Sequence, residues 1–307
     1  MDADERYYKT TRLVRKKTSD VETERGHQVY TADRLTGRII GEFTARQSLH
    51  VSTGLLVSPQ EAGIESDAPL VKGFHRVGEV FTVPGSSLKG PVRSFVETIT
   101  FSCVSKTREY WKGSEREEYG ECRYNSHRRE GKICPACKMF GAMGYEGQIF
   151  FSDAPMVEGK TAVHFISAQH QPKGDDARRH YPHALQDRRD PTWPLAVTLP
   201  GSRFNFRLRF ENLTTAEMGL LLLALGQGDP AICLKIGAGK SSGLGAIQFN
   251  RMAVEQVIVA DLYAAYDSSA AWMSVDTAVC LTAAQKLLRP DDALSRLQAD
   301  LGCGRLR

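Results

Sequence analysis

The chain is organised around Gly37-Arg-Ile-Ile-Gly-Glu-Phe-Thr-Ala-Arg-Gln-Ser-Leu-His-Val51, residues 37–51. Small or apolar residues occupy alternate positions along this stretch, interrupted only by Gln47, and polar residues such as Glu42 and Arg46 lie between them. Successive side chains of a β-strand point to opposite faces of the sheet. The stretch therefore predicts a long strand with one face in a core.

A second alternating stretch lies at residues 203–210, where four apolar side chains share one face: Phe204, Phe206, Leu208 and Phe210. We predict that a helix follows it directly. Thr214 and Glu217 have the spacing of a capping box, and Gly226 is suited to the helix end. Residues 203–226 are therefore predicted to form a strand followed by a capped helix.

The sequence patterns that predict the remaining elements are weaker. Residues 52–83 show little periodicity and are predicted to form a long connection. A helix is predicted to begin at Ser86 or Ser87, with Pro91 in its first turn. Short strands are predicted at residues 148–152 and 246–249, and residues 254–307 are interpreted as mainly helical. This order of elements predicts an α+β fold with a ferredoxin-like, split βαβ core.

The predicted organisation has three parts. Residues 1–36 are a polar N-terminal extension, residues 37–253 are the core, and residues 254–307 are a C-terminal segment. The core carries insertions at about 103–140, which contains cysteines, and at 169–197, which is basic and aromatic.

Composition sets broad limits on function. The 307 residues are 41% hydrophobic and 25% charged, which is ordinary for a globular protein, and the net charge of +4 does not by itself identify a nucleic-acid binder. The N-terminus has no apolar leader, and no apolar run approaches the roughly 18 residues of a membrane span. We therefore expect a cytoplasmic protein with no membrane partner. Seven cysteines in that compartment favour free thiols or metal binding over disulfides.

The cysteine-bearing insertion predicts a structural zinc site. Cys134-Pro-Ala-Cys137 has the CxxC spacing of a zinc half-site, and Cys103 and Cys122 lie upstream. The insertion has few apolar residues, so a metal would explain how it stays ordered. The fourth ligand is Cys103 or His127. The other three cysteines, Cys233, Cys280 and Cys303, are expected to be ordinary core or surface thiols.

Two backbone features are suited to phosphate. The helix start at residues 84–90 offers free N–H groups, and Ser86, Ser87, Lys89 and Arg93 are candidate contacts for an RNA backbone. The glycine-rich segment 237–245, with Lys240, permits close approach of a nucleic-acid backbone. An ordinary capped helix and a tight turn are the structural alternatives.

The stretch at residues 169–197 combines cations with flat rings, which neutralise phosphates and stack on bases respectively. We predict that it binds RNA through Arg178, Arg179, Tyr181 and His183. Asp67 lies in the long connection, where its carboxylate is either a divalent-metal or ribose ligand or an exposed turn residue.

Four segments resemble the RAMP superfamily of CRISPR proteins, specifically the backbone subunits of type III effectors and close relatives. They occur in family order within residues 37–250: Leu49-His-Val-Ser-Thr-Gly54; Val83-Pro-Gly-Ser-Ser-Leu-Lys-Gly-Pro-Val-Arg93; Cys134-Pro-Ala-Cys-Lys-Met-Phe-Gly141 with Phe151-Ser-Asp-Ala154; and Glu211-Asn-Leu-Thr through to Lys235-Ile-Gly-Ala-Gly-Lys-Ser-Ser-Gly-Leu-Gly245.

The resemblance implies an RRM-like core with a zinc-bearing insertion and a thumb hairpin at residues 169–197. It implies a guide crRNA, a target RNA, further copies of the chain and other effector subunits as partners. In cleaving relatives a loop aspartate acts with a divalent metal such as Mg²⁺, and Asp67 in Asp67-Ala-Pro-Leu-Val-Lys72 is the matching position. Two alternatives remain. The chain is a purely structural crRNA scaffold with a separate nuclease, or it is a stand-alone guide-processing endoribonuclease, for which the sequence offers no histidine near the glycine segment.

Overall fold

The structure is a computed structural model, and it describes residues 8–20, 29–104, 113–125, 128, 131–167, 177–183, 192–264 and 272–306. The strands are β1 Lys9–Arg12, β2 Ser19–Asp20, β3 Leu35–Ala45, β4 Ser52–Val57, β5 Val71–Phe74, β6 Arg76–Val77, β7 Val80–Val83, β8 Lys132–Ile133, β9 Ile149–Phe151, β10 Ala154–Glu158, β11 Thr161–Ser167, β12 Ala177–His180, β13 Thr192–Thr198, β14 Arg203–Leu213, β15 Leu234–Lys235, β16 Ala246–Val257 and β17 Trp272–Ser274. The helices are α1 Gly85–Ile99, α2 Ser114–Tyr119, α3 Pro135–Phe140, α4 Thr215–Ala224, α5 Val259–Ala264, α6 Thr277–Ala284 and α7 Ala293–Leu301.

The two alternating stretches become the centre of the main sheet. β3 pairs antiparallel with β14 on one side and with β16 on the other. Phe43 lies opposite both Phe204 and Phe249 and stacks on Phe204 with a centroid distance of 4.9 Å. Because these rings are fully or almost fully buried, the apolar face predicted for each strand is confirmed as a core face.

The main sheet continues outward from this pair in the order β15-β16-β3-β14-β10-β7-β6, with β9 also paired to β14 and β17 to β16. The chain passes through α1 between β3 and β9, and through α4 between β14 and β16. α1 and α4 contact each other, and their buried apolar residues belong to the same core as Phe43. The described chain is therefore a mixed α+β structure rich in sheet.

A second sheet lies beside the first, with the strand order β11-β13-β5-β4. β11 and β13 pair antiparallel along their whole lengths, and β13 runs parallel to β5. Leu49 and Thr198 form a bridge between the chain just after β3 and the end of β13, which joins the two sheets. β4 is an edge strand in this sheet, and its Leu55 and Leu56 are exposed.

Several boundaries differ from the sequence-based predictions. Residues 52–83 are not a structureless connection, since β4 to β7 lie within them. The N-cap residue of α1 is Pro84, not Ser86 or Ser87, and the helix begins at Gly85. Pro91 therefore lies in the second turn of the helix, not in the first as predicted. Residues 254–307 are less helical than expected, because β16 runs to Val257 and β17 adds a further strand.

The capping box before α4 is confirmed. The Thr214 hydroxyl accepts a hydrogen bond from the Glu217 N–H, and the Glu217 carboxylate accepts one from the Thr214 N–H. Gly226 follows the helix with a φ of 75°, the left-handed conformation that suits glycine after a helix end.

Candidate metal centre and nucleic-acid surface

The four cysteines predicted from the insertion come together in one buried cluster. Every Sγ atom of Cys103, Cys122, Cys134 and Cys137 lies within 4.8 Å of the others. Cys103 follows α1, Cys122 follows α2, and the CxxC pair spans the start of α3. Segments from both ends of the insertion therefore meet at these thiols.

The sulfur geometry fits a tetrahedral ion. Zinc–sulfur bonds of about 2.3 Å place the sulfurs of a tetrahedral site roughly 3.8 Å apart. The Cys103 Sγ lies 3.3 Å from the Cys137 Sγ and 3.6 Å from the Cys134 Sγ. Four thiolates are the ligand set of structural zinc, so the cluster could hold a metal ion such as zinc. The rival ligand His127 lies outside the described residues.

Two arginines and a carboxylate surround this cluster. The Arg93 guanidinium donates to the Cys137 Sγ at 3.4 Å, to the Gly141 carbonyl at 2.9 Å and to the Glu97 carboxylate at 2.8 Å. Arg178 donates to the Cys103 carbonyl at 2.7 Å and pairs with Glu97 at 2.8 Å. The Glu97 side chain is fully buried, so these arginines compensate a carboxylate that water does not reach. Burial acts to lower the pKa of Arg93, but the charge and hydrogen bond of Glu97 outweigh it and the pKa is raised above its usual value.

Sequence reasoning assigned Arg93 and Arg178 to RNA contacts and did not identify Glu97. In the structure both guanidinium groups have internal partners beside the cysteines. Glu97 follows Arg93 by four residues on α1, a spacing that predicts an ion pair on a helix face, and this was the available signal.

The N-terminal turn of α1 carries the other predicted contacts. Ser86 is exposed, and Ser87 and Lys89 are partly buried. Partial burial and the nearby Arg93 charge lower the pKa of Lys89, while Glu146 acts in the opposite direction. The Gly85 N–H donates to the Asp153 carboxylate at 2.8 Å. One donor of this turn is therefore already satisfied by a residue that sequence reasoning did not single out.

The glycine-rich segment forms a tight turn between β15 and β16. Gly237 lies against the His50 carbonyl so closely that an added Cβ would be 2.1 Å from that oxygen, and its φ is 72°. Lys240 begins a single helical turn, Lys240–Ser242, and its side chain is partly buried. Glycine at Gly237 is therefore required by close backbone approach within the chain.

A buried lysine that the sequence analysis did not identify supports this turn. Lys235 is 5% exposed, and its ammonium group donates to the Leu244 carbonyl at 2.9 Å and to the Gln47 side chain at 2.7 Å. Burial, with Lys240 nearby, lowers the pKa of Lys235 to about 7.

The described part of the basic, aromatic stretch packs against the body of the protein. β12 pairs with the N-terminal β1, and Arg179 lies over the Tyr8 ring at 4.6 Å. His183 is buried, and its Nε2 donates to the Leu301 carbonyl at 3.0 Å, while Tyr181 is partly buried. Lys173, Arg188 and Arg189 lie outside the described residues.

Asp67 is exposed in the segment between β4 and β5. Farther along, in β5, the Lys72 ammonium lies 4.7 Å from the centre of the Trp193 ring, which is 43% exposed. The structure thus presents an accessible carboxylate before β5, and a partly buried lysine of β5 beside an exposed tryptophan of β13.

None of the helices in the described parts of the chain combines the length and the apolar character that crossing a bilayer requires.

Comparison with known proteins identifies the family. The family model of the RAMP superfamily matches residues 42–248. A solved structure described as a cryo-EM structure of the Type III-B Cmr-beta bound to cognate target RNA contains a similar chain, with 17% sequence identity and a TM-score of 0.40. The similarity covers 71% of this chain and 60% of that one. No curated protein matched. Because the family model spans more than half of the sequence, this chain belongs to the RAMP superfamily.

Proposed function

We propose that this chain is an RNA-binding backbone subunit of a CRISPR effector ribonucleoprotein of type III or a close relative. It would bind a guide crRNA, present it to a target RNA, and assemble with further copies of itself and other effector subunits. The observation that carries the proposal is the superfamily match, which reaches from β3 into β16 and includes the helix-start motif, the CxxC segment and the glycine-rich segment.

The topology supports a ferredoxin-like core within this assignment. Strands β16, β3, β14 and the pair β9 and β10 are neighbours in that order, and neighbouring strands are antiparallel. Along the chain, α1 lies between β3 and β9, and α4 lies between β14 and β16. This is the arrangement of a split βαβ unit used twice. We keep the proposed division into an extension at 1–36, a core at 37–253 and a C-terminal segment at 254–307.

RNA binding is proposed to use the α1 start and the glycine-rich turn. Ser86, Ser87, Lys89 and Lys240 are partly or fully accessible there, and cations with helix N–H groups hold phosphates without reading bases. Trp193, held beside Lys72, is suited to stack on a base. Arg93, Arg178, Arg179, Tyr181 and His183 remain in the proposed RNA set, although the contacts described above also give four of them roles within the fold.

RNA affinity tests this surface. Lys89→Glu and Lys240→Glu should each weaken binding to unrelated RNA sequences, and each should reduce the slope of log affinity against log salt by about 1. Lys286→Glu, at an exposed position outside this surface, is the control. Unchanged affinity and slope in both lysine variants would remove the proposed phosphate site. Arg93→Glu is a poorer test, since it also leaves Glu97 without one of its two arginines.

The four-cysteine cluster is proposed to hold one structural zinc ion that orders the 103–140 insertion. Metal analysis of the purified protein should find about one zinc per chain. Cys137→Ser should lose that zinc, whereas Cys280→Ser should keep it, because Cys280 is buried in α6 away from the cluster. The assignment would be contradicted if the purified wild-type protein contained no zinc and adding zinc did not change its melting temperature.

Cleavage of the target RNA is proposed to depend on Asp67. An exposed carboxylate offers the oxygen ligands that Mg²⁺ prefers, and the metal would supply charge stabilisation for phosphodiester cleavage. In the assembled guide complex with Mg²⁺, Asp67→Ala should abolish regularly spaced cuts while leaving guide binding intact. Glu65→Ala, an exposed carboxylate in the same segment, is the matched control. Cuts that persist in Asp67→Ala would leave the scaffold alternative, with cleavage by a partner nuclease.

A further inference from the structure

A cavity of about 500 Å³ opens beside the glycine-rich turn, and His183 is the one side chain proposed above for RNA that lines it. It is lined by residues just after β3, by Gly243 and Leu244 of the turn, and by His183 with the C-terminal residues Asp300 and Arg305. Sites for small ligands have volumes of roughly 300–1,000 Å³. The cavity is therefore the right size for one compact organic ligand.

Four buried or partly buried hydrogen bonds connect parts of the cavity lining. Lys235 donates to the Leu244 carbonyl and to the Gln47 side-chain oxygen, and the Gln47 amide donates to the His183 carbonyl at 3.0 Å. The His183 ring in turn donates to the Leu301 carbonyl. Residues from distant parts of the sequence are thus linked by hydrogen bonds around the cavity.

The charge of the rim selects for an anion. Arg46 and Arg305 are both exposed and both line the cavity, and so does the exposed ring of His164. Asp300 is the acidic residue among the lining residues, and its carboxylate pairs with His180 at 2.7 Å. Guanidinium groups present parallel N–H donors that match the oxygens of a phosphate. Two exposed arginines that line one cavity therefore favour a phosphate over a neutral ligand.

The rest of the lining suits a flat, weakly polar group. Pro182, Pro200 and Leu244 supply apolar surface in the same lining. A phosphate alone would leave most of this volume and this apolar surface unused. A phosphate joined to a sugar and a base uses both the cationic rim and the apolar walls.

We propose that this cavity binds a phosphorylated nucleoside, with its phosphate at Arg46 and Arg305 and its sugar and base against the proline and leucine walls. The ligand is either a free nucleotide or a single nucleotide of a bound nucleic-acid strand. Lys89 and Lys240 do not line this cavity, and the site does not require the proposed effector role.

Calorimetric titration of the full chain tests the proposal, with 5′-AMP, 5′-CMP, 5′-GMP and 5′-UMP as probes and adenosine and inorganic phosphate as partial probes. At least one monophosphate should bind at least tenfold more tightly than either partial probe. Arg46→Ala and Arg305→Ala should each weaken that binding about tenfold or more. Arg251→Ala is the matched control, because Arg251 is 76% exposed and does not line the cavity. Both cavity variants change exposed side chains, and their melting temperatures check that they fold.

The proposal would be overturned if no monophosphate bound more tightly than inorganic phosphate. It would also be overturned if both cavity variants bound the monophosphate as tightly as the wild type. Competition with a ten-nucleotide RNA then identifies the source of the ligand: displacement of the monophosphate assigns the cavity to a nucleotide of a strand, and simultaneous binding assigns it to a free nucleotide. Both outcomes retain the site. A chain that binds monophosphate but no RNA would reject the proposed function and leave this inference standing.

Discussion

Removing the carboxylate of Glu97 should destabilise the protein severely. This side chain is fully buried, and its partners Arg93 and Arg178 have side chains that are only 15% and 11% exposed. Removing one member of a buried ionic group leaves the remaining charges uncompensated and typically costs about 3–5 kcal/mol. We expect Glu97→Ala to fall near the lower limit, since Arg93 keeps the Gly141 carbonyl and Arg178 keeps the Cys103 carbonyl as acceptors.

The assay measures the free energy of unfolding of Glu97→Ala by equilibrium denaturation and compares it with that of a variant at a matched surface carboxylate. Glu79 also pairs with an arginine, Arg76, but its side chain is 94% exposed, so Glu79→Ala should change the free energy of unfolding by less than about 0.5 kcal/mol. For a protein of 307 residues, a loss of 3 kcal/mol lowers the melting temperature by about 5 °C.

Similar losses in Glu97→Ala and Glu79→Ala would refute the reasoning, because burial is what separates the two carboxylates. Arg178→Met gives a further check. It leaves Glu97 with Arg93 and should cost less than Glu97→Ala, and the opposite order would mean that Arg178 acts through packing or through its bond to Cys103.

Three further outcomes follow from the structure. The pKa of Lys235 is about 7 in the folded protein and near 10.4 in the unfolded chain, so between these pH values the unfolded chain binds one more proton than the folded protein. The free energy of unfolding should therefore rise with pH across that window by up to about 1.4 kcal/mol per pH unit. Lys235→Met should flatten this rise when denaturation is measured at pH 7, 8 and 9. Cys233 and Cys303 form a disulfide across a separation of 70 residues, so a phosphine reductant should lower wild-type stability by about 4 kcal/mol; Cys303→Ser should show no response to the reductant, and an equal response would mean that another bond is being reduced. Thr214→Ala should lower the free energy of unfolding by about 1 kcal/mol, because it removes the α4 cap. The control is Thr282→Ala, which removes an exposed hydroxyl within α6 that accepts no helix N–H in the described structure and should cost clearly less. Equal losses in the two variants would argue against the cap.

Local patterns in the sequence were sufficient where the structure depends on neighbours along the chain. The alternating faces of β3 and β14 and the capping box at Thr214 are confirmed, because alternation and capping both act over a few residues. β4 was missed since most of its residues are exposed, which removes the alternation that marks a strand. β5, β6 and β7 have four residues or fewer, too short to show a period.

The candidate sites were predictable where a motif was local and not where the partners are distant. The CxxC spacing indicated a metal site, and the cluster includes all four of the expected thiols. The pairing of Arg178 with Glu97 joins residues far apart in the sequence, and only the fold brings them together. The same holds for Cys233 and Cys303, expected to be ordinary thiols but bonded to each other. His183 reaches the glycine-rich turn through Gln47, although the sequence shows no histidine beside that turn.

The position of β3 has a consequence for how the protein is made. Both hydrogen-bonded edges of this strand are completed by β14 and β16, which begin at Arg203 and Ala246. A ribosome adding about 5–20 residues per second needs on the order of 10–40 s to advance from β3 to the end of β16. β3 has neither partner until β14 has emerged, and it has only one partner until β16 has emerged. Such an edge is a site for unwanted pairing, so the nascent chain is expected to depend on chaperone protection until its last third has been synthesised.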